Sequence, residues 1–183
     1  MKIGAVSDSH SYLDNLRLAA SKLIAEGVEI IIHLGDDYDD ARAIERPGIE
    51  LLRVPGIFSS YYKNPGIPNR IVRKFLSWKV LLTHAPTAHA NDLPMDRSPE
   101  EIITKEKINI VLHGHTHLPR IEKKDNILWI NPGHLRNEDK RGYPPSYALM
   151  ELKEDRIKVS VIDLMKSKEI LAETFSVPGI CND

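Results

Sequence analysis

Four short apolar runs in this chain each break off at an acid or an imidazole, and that recurrence limits what the chain can fold into. Lys2 to Ser7 (KIGAVS) meets Asp8-Ser9-His10, and Glu29 to Leu34 (EIIIHL) meets Gly35-Asp36-Asp37. Trp78 to Thr83 meets His84, and Ile108 to Leu112 meets His113-Gly114-His115-Thr116-His117. Short aliphatic runs bounded by turn-formers read as strands buried on both faces, which is the pattern of parallel sheets covered by helices. In an open α/β sheet, ligands collect outside the carboxyl ends of the strands, so every one of these tips feeds one crevice.

The rest of the chain supplies the covering and the connections. Asp14 to Glu26 is expected to be a helix, with Leu13, Leu16, Ala20, Leu23 and Ile24 on one face and Gly27 as its stop. Ser98-Pro99-Glu100-Glu101 is a helix start, so Ser98 to Lys107 should form a second. A short helical piece is expected near Ala41 to Ile44, and Ile49 to Val54 reads as a further strand. Asn69 to Phe75 and Trp78 to Thr83 form a hairpin pattern. Ile127 to Asn131, Tyr147 to Leu152 and Arg156 to Asp163 follow with turns too short for crossover helices, which predicts antiparallel pairing.

Two irregular loops stand out. Pro55 to Pro68 has no helical or strand period, yet Ile57, Phe58, Tyr61 and Tyr62 make it too apolar for disorder. These four are expected at the crevice rim or in a subunit contact, so a homo-oligomer stays open. Ala85 to Arg97 carries His89, Asn91, Asp92 and Asp96, read as rim or loop-capping residues.

Length and charge exclude several classes. At 183 residues the chain suits one domain, residues 1–183. Lys plus Arg (25) nearly balances Asp plus Glu (26), so no nucleic-acid surface is evident. The one cysteine, Cys181, allows no internal disulfide. No run has the length of a signal peptide core or a membrane span, and the expected location is the cytoplasm.

Each tip has a structural reading when taken alone. Asp8 or Ser9 could cap a helix, Asp37, Asp39 and Asp40 could lie on a solvated turn, and His33 inside its strand is expected to be a packed core residue. Asn131-Pro132-Gly133-His134 reads as a plain turn. Acid or imidazole at four strand ends has no shared structural explanation, however. Gly114 is expected to let the backbone turn, so that His115 and His117 leave the strand in an extended loop, Cα atoms roughly 6.5 Å apart, suited to two adjacent cations. Asp8, His10 and His117 would then hold one divalent metal, His84 and His115 the other, and Asp36 would bridge them.

Asp8-x-His10, Gly35-Asp36-Asp37, Thr83-His84 and Gly114-His115-Thr116-His117, in this order, resemble the calcineurin-like metallophosphoesterases, especially the small bacterial and archaeal phosphodiesterases of the YfcE type. The likeness runs from about Met1 to Gly133, including Asn131-Pro132-Gly133. It implies an α/β sandwich of two mixed β-sheets flanked by helices. It also implies two divalent cations, Mn favoured and Ni, Zn or Fe also suited, and hydrolysis of a small phosphoester. The same metal allocation is implied by the resemblance. The family has Gly-Asn followed by His or Cys after the third strand, where this chain has Gly56-Ile57-Phe58. A second histidine that many relatives carry after Thr-His is replaced by Ala85.

The expected chemistry is in-line attack by a metal-bound hydroxide on a phosphodiester. His89, Tyr61 and Tyr62 are the candidate proton donors. The competing reading is a phosphoesterase-like fold used as a binding module, as in the eukaryotic retromer subunit.

Overall fold

The computed structural model describes residues 1–176, so Cys181 lies outside the described residues. In chain order the elements are β1 (Lys2–Val6), α1 (Leu13–Ala25), β2 (Ile30–His33), β3 (Glu50–Arg53), β4 (Arg70–Phe75), β5 (Trp78–Thr83), α2 (Pro99–Glu106) and β6 (Ile110–Leu112). They continue with β7 (Arg120–Lys124), β8 (Ile127–Asn131), β9 (Ser146–Leu152), β10 (Arg156–Asp163) and β11 (Glu169–Ser176). Short 3-10 turns occupy Tyr38–Ile44 and Ser60–Lys63.

The strands form two mixed sheets, one ordered β11-β10-β9-β1-β2-β3 and the other β4-β5-β6-β8-β7. The core lies between them, where Ile3, Ala5, Ile30 and Ile32 of the first sheet belong to one buried cluster with Val80, Leu82, Ile110, Leu112 and Ile130 of the second. Each Val, Leu or Ile side chain among them, taken out of water, contributes about 1.5–3 kcal/mol. The outer faces are covered separately. Leu16, Ala19, Ala20 and Leu23 of α1 pack on Val6 and Ile31, while Ile102 of α2 packs with Leu81 and Val111. The expected sandwich is therefore present, and both helices fall within a residue or two of their expected limits.

Local chemistry explains the helix ends. Ser98 Oγ accepts the amide hydrogen of Glu101 at 3.1 Å, with Pro99 at the first helical position where no amide donor is needed. Tyr12, not Asp8 or Ser9, occupies the N-cap of α1, and its side chain makes no capping bond. Asp8 and Ser9 do not cap the helix: Asp8 accepts from Ser7 Oγ and His115 N, and Ser9 Oγ donates to Asp40 beside His33.

Three features differ from the sequence-based expectation. β8 pairs antiparallel with β7 but parallel with β6. The chain leaves β6, forms β7 at the sheet edge, and returns between them through a two-residue turn at Asp125 and Asn126, both with positive φ (51° and 62°). β7 (RIEKK) and β11 (EILAETFS) are edge strands that sequence reading misses, because edge positions carry little of the apolar signal that marks buried strands. The loop after β3 is also not wholly irregular, since Ser59 caps the 3-10 turn by accepting from Tyr61 N at 3.2 Å.

That loop and the one after β5 are braced against each other. Ile57 and Tyr62 are buried with Ala85 in a small cluster of their own. Asn91 Nδ2 donates to Ile57 O (2.9 Å), Tyr62 Oη donates to Asp92 (2.5 Å), and Asn69 Nδ2 donates to Asp96 (2.8 Å). Arg70, whose side chain is 4% exposed, pairs with Asp92 at 2.8 Å. Asp92 and Asp96 thus cap the loop as expected, while Phe58 stands out into solvent, 76% exposed.

Candidate metal centre

β1, β2 and β3 run parallel in one sheet, and β5, β6 and β8 run parallel in the other. The loops leaving these strands hold every candidate ligand. Asp8, His10, Asp36, His115 and His117 all have positive φ, between 45° and 72°. For residues other than glycine this left-handed region costs on the order of 1–3 kcal/mol at each position. The extended loop expected for His115 and His117 is therefore replaced by tight left-handed turns, with Thr116 N bonded to Gly114 O at 2.8 Å.

Glycines let these turns meet. Gly35 (φ +96°) comes so close to His84 Nδ1 and the Gly56 amide that a Cβ would stand 2.9 Å from each. Gly114 has no positive φ, so its role is space: a Cβ there would collide with Ser7 Oγ and Asp8 Oδ2. At Gly56 a side chain would strike the backbone of Asp36.

Four ligand atoms, one each from Asp8, His10, Asp36 and His117, lie within 4.8 Å of one another. His10 Nε2 is 2.6 Å from Asp36 Oδ2 and 3.0 Å from His117 Nε2, and His117 Nε2 is 3.2 Å from Asp8 Oδ1. Close as they are, Asp8 Oδ1 and Asp36 Oδ2 remain buried without an aligned hydrogen bond among the described residues. The other oxygen of Asp8 is committed, accepting from Ser7 Oγ (2.5 Å) and His115 N (3.0 Å). Burial alone would raise the pKa of Asp8, but the neighbouring His117 and His84 and the Ser7 hydroxyl hold it below the usual carboxylate range.

His84 extends the cluster on the far side of Asp36. Its Nδ1 donates to Leu34 O at 2.8 Å, which fixes the tautomer and leaves a lone pair on Nε2, 3.8 Å from Asp36 Oδ1. That Nε2 is buried with no hydrogen-bond partner among the described residues. The His115 ring lies beside it, centroids 5.3 Å apart. Asp36 thus stands between His10 on one side and His84 on the other. Unpaired buried acceptors are costly, and a carboxylate pair with imidazole lone pairs is a donor set that suits a divalent cation.

Sequence reading misses the residue behind His117. Asp139 Oδ2 lies 2.7 Å from His117 Nδ1, and its side chain is only 2% exposed. Although burial opposes ionisation, His117 and Arg141 hold Asp139 well below the usual carboxylate range. Burial likewise disfavours a charged His117, yet Asp8 and Asp139 outweigh it and raise the His117 pKa. Asn131 is also more than a plain turn residue. Its Nδ2 donates to Gly114 O (3.0 Å) and Thr116 Oγ1 (2.9 Å) while Oδ1 accepts from Gly133 N, pinning the histidine loop. His33 is the core residue expected, fully buried with its pKa pushed down to about 4, and it bridges Ser9 Oγ (3.1 Å) and Gly35 N (3.3 Å).

The acidic turn divides. Asp37 and Asp39 are exposed as expected, but Asp40 accepts from Ser9 Oγ (2.8 Å) and Ser11 N (2.9 Å) and braces the loop that carries His10. Of the candidate donors, Tyr62 is 1% exposed, its hydroxyl donating to Asp92, and burial together with that bond pushes its pKa above the ordinary tyrosine value. Tyr61 Oη donates to Asp39. His89 packs its ring 6.4 Å from that of His115.

Two sheets with acids and imidazoles at their carboxyl ends define a metallophosphoesterase fold, and comparison with known proteins agrees. The profile of the calcineurin-like phosphoesterase superfamily domain matches residues 1–155, and the chain belongs to that family. It is 31% identical over 150 residues to phosphodiesterase MJ0936 of Methanocaldococcus jannaschii, covering 73% of this chain and 83% of that protein. Among solved structures it is similar to the phosphoesterase YfcE from E. coli, with TM-score 0.66 and 23% identity over 94% of this chain and 98% of that one. It is equally similar to Vacuolar Protein Sorting 29 from Cryptosporidium parvum, with TM-score 0.68 and 23% identity over 96% and 97% of the two chains.

Proposed function

We propose that this chain is a metal-dependent hydrolase of small phosphodiesters working at two divalent cations, with Asp8, His10, Asp36 and His117 around one and Asp36, His84 and His115 around the other. The observation that carries this reading is the set of buried ligand atoms on Asp8, Asp36 and His84 that have no hydrogen-bond partner among the described residues, with Asp8 and Asp36 in one cluster and His84 Nε2 3.8 Å from Asp36 Oδ1. Bound cations of this kind lower the pKa of a coordinated water and neutralise phosphate oxygens. The protein's own part is to hold the donors ready. Leu34 O keeps the His84 lone pair directed at the site, Asp139 orients His117, and Ser7 and His115 N turn one Asp8 oxygen toward it. Mn is the favoured cation, with Ni, Zn or Fe also compatible with nitrogen and oxygen donors.

The likeness to Vacuolar Protein Sorting 29 and the exposed Phe58 favour a second reading, a binding module that retains the fold. Against it stands the cost of the site. Left-handed backbone at five ligands and unpaired buried polar atoms destabilise a scaffold and benefit it in no evident way. Metal analysis of the purified protein, combined with turnover of bis-p-nitrophenyl phosphate in added Mn, Ni or Zn, separates the two. Bound metal with metal-dependent turnover is expected. A protein that binds metal and hydrolyses no phosphoester would be the scaffold.

A further inference from the structure

Four aromatic rings lead from the inner side of this centre to solvent. His84 meets His115 at 5.3 Å, His115 meets His89 at 6.4 Å, and His89 meets Phe58 at 5.9 Å, each pair edge to face with interplanar angles of 65° to 85°. Phe58 ends the series and is the most exposed of the large apolar side chains among the described residues, at 76%. A ring that only filled a gap would have been buried with its neighbours Ile57 and Tyr62. Instead the brace between the two loops, Asn91 on Ile57 O and Tyr62 on Asp92, holds the backbone on either side of Phe58 and leaves its ring outside.

His89 is equally constrained. Its own amide donates to Asp92 Oδ2 (3.0 Å), and its Nδ1 accepts the Asn91 amide hydrogen at 3.1 Å. With Nδ1 occupied as an acceptor, the neutral ring carries its proton on Nε2. His89 is therefore arranged as a hydrogen-bond donor, rather than as a lone-pair ligand through Nε2.

From this geometry we infer that His89 and Phe58 form the specificity wall of the site, His89 Nε2–H donating to a phosphate oxygen and Phe58 stacking on a planar ester group of the substrate. The inference rests on the proposed phosphoesterase reading and names its substrate class: phosphodiesters that carry an aryl or nucleoside group, in preference to purely alkyl ones. Stacking of a base on one aromatic side chain corresponds to about 5- to 150-fold in affinity.

The test is a calorimetric titration of the Mn-loaded protein with thymidine 5′-monophosphate and with methyl phosphate, beside thermal melts of every variant. Wild type is expected to favour the nucleotide by about 5- to 150-fold. Phe58→Ala should close that ratio to within about twofold, as expected when the stacking contribution goes. His89→Ala should weaken both ligands together, and His89→Gln, which keeps an N–H donor, should recover part of the loss. Equal affinity of wild type for the two ligands would overturn the inference, as would a ratio unchanged in Phe58→Ala. A Phe58→Ala protein that changes oligomeric state while keeping its ligand preference would mark the ring as a subunit contact instead. The two readings fail separately. Nucleotide preference without any diester turnover sinks the proposed activity and leaves the wall standing, whereas turnover without preference does the reverse.

Discussion

Asp139 Oδ2 sits 2.7 Å from Nδ1 of His117, so a carboxylate from the segment before β9 orients an imidazole that leaves β6. A carboxylate behind a metal-binding imidazole fixes the ring's tautomer and strengthens its other nitrogen as a donor. Asp139→Asn should therefore lower cation affinity by about 10- to 100-fold without unfolding the chain, as losses of such partners do. The His117 pKa is raised above its ordinary value, and a cation has to displace that proton, so affinity should also rise with pH. Titration with Mn at several pH values checks both points, and an unchanged affinity in Asp139→Asn would remove Asp139 from the site.

Asp36 and Asp39 are close in sequence and far apart in consequence. Asp36 lies between His10 Nε2 (2.6 Å) and His84 Nε2 (3.8 Å), whereas Asp39 is paired with exposed Arg42 and the Tyr61 hydroxyl. Asp36→Asn should remove bound metal and activity together, and Asp39→Asn should alter stability by no more than about 0.5 kcal/mol, as expected for a surface position. Metal content after gel filtration decides the matter. Equal content in wild type and Asp36→Asn would show that Asp36 joins no cation.

The parts legible in the sequence are those where one strong local signal is enough. Buried strands declare themselves by aliphatic runs, and Asp8, His10, Asp36, His84, His115 and His117 are visible because each sits where such a run stops. What stays hidden depends on contacts distant in sequence. Asp139 belongs to a polar stretch, Arg136 to Arg141, that looks like any solvated loop, and only the return of the chain past His117 buries it. Asp40 is hidden for the same reason, its value coming from Ser9 and Ser11 about thirty positions earlier. The left-handed turns at His115 and His117 contradict local preference, which favours an extended loop, and such local conflicts gather at functional sites. The parallel course of β8 was unreadable because β7, the edge strand that makes it possible, carries almost no apolar pattern.

Two histidines that are not themselves candidate ligands make stability depend on pH. His33 and His113 are buried, and burial pushes each pKa down from 6.5 to about 4. Below pH 6.5 the unfolded chain takes up these protons and the folded chain does not. Stability is therefore complete above that pH and falls as pH drops toward 4, by about 1.4 kcal/mol per pH unit for each group. Urea midpoints measured from pH 7.5 to 5 should decline accordingly, more shallowly in His33→Gln. A decline as steep in His33→Gln as in wild type would mean that the His33 ring accepts its proton in the folded state.

Ile57 sets up an asymmetry between the two proposed cation positions. The first draws on Asp8, His10, Asp36 and His117, the second only on Asp36, His84 and His115. Ile57 is 1% exposed against Tyr62 and Ala85, so its side chain packs and offers no donor. First-row cations in such sites take five or six donors, so the second must complete its shell with water or substrate oxygen and dissociate more readily. Activity should then keep rising with added metal well beyond the level that fills the first position. Residue 57 follows Gly56, whose backbone amide donates to Asp36 O at 3.2 Å, so an amide side chain there would start from backbone held against the proposed bridging residue. Ile57→Asn should shift the activation curve to lower metal concentration, at a cost of about 1–3 kcal/mol in stability for an amide in an apolar cluster. Two cations per wild-type chain retained through dialysis against chelator, with activity indifferent to added metal, would mean that a different group completes the second position.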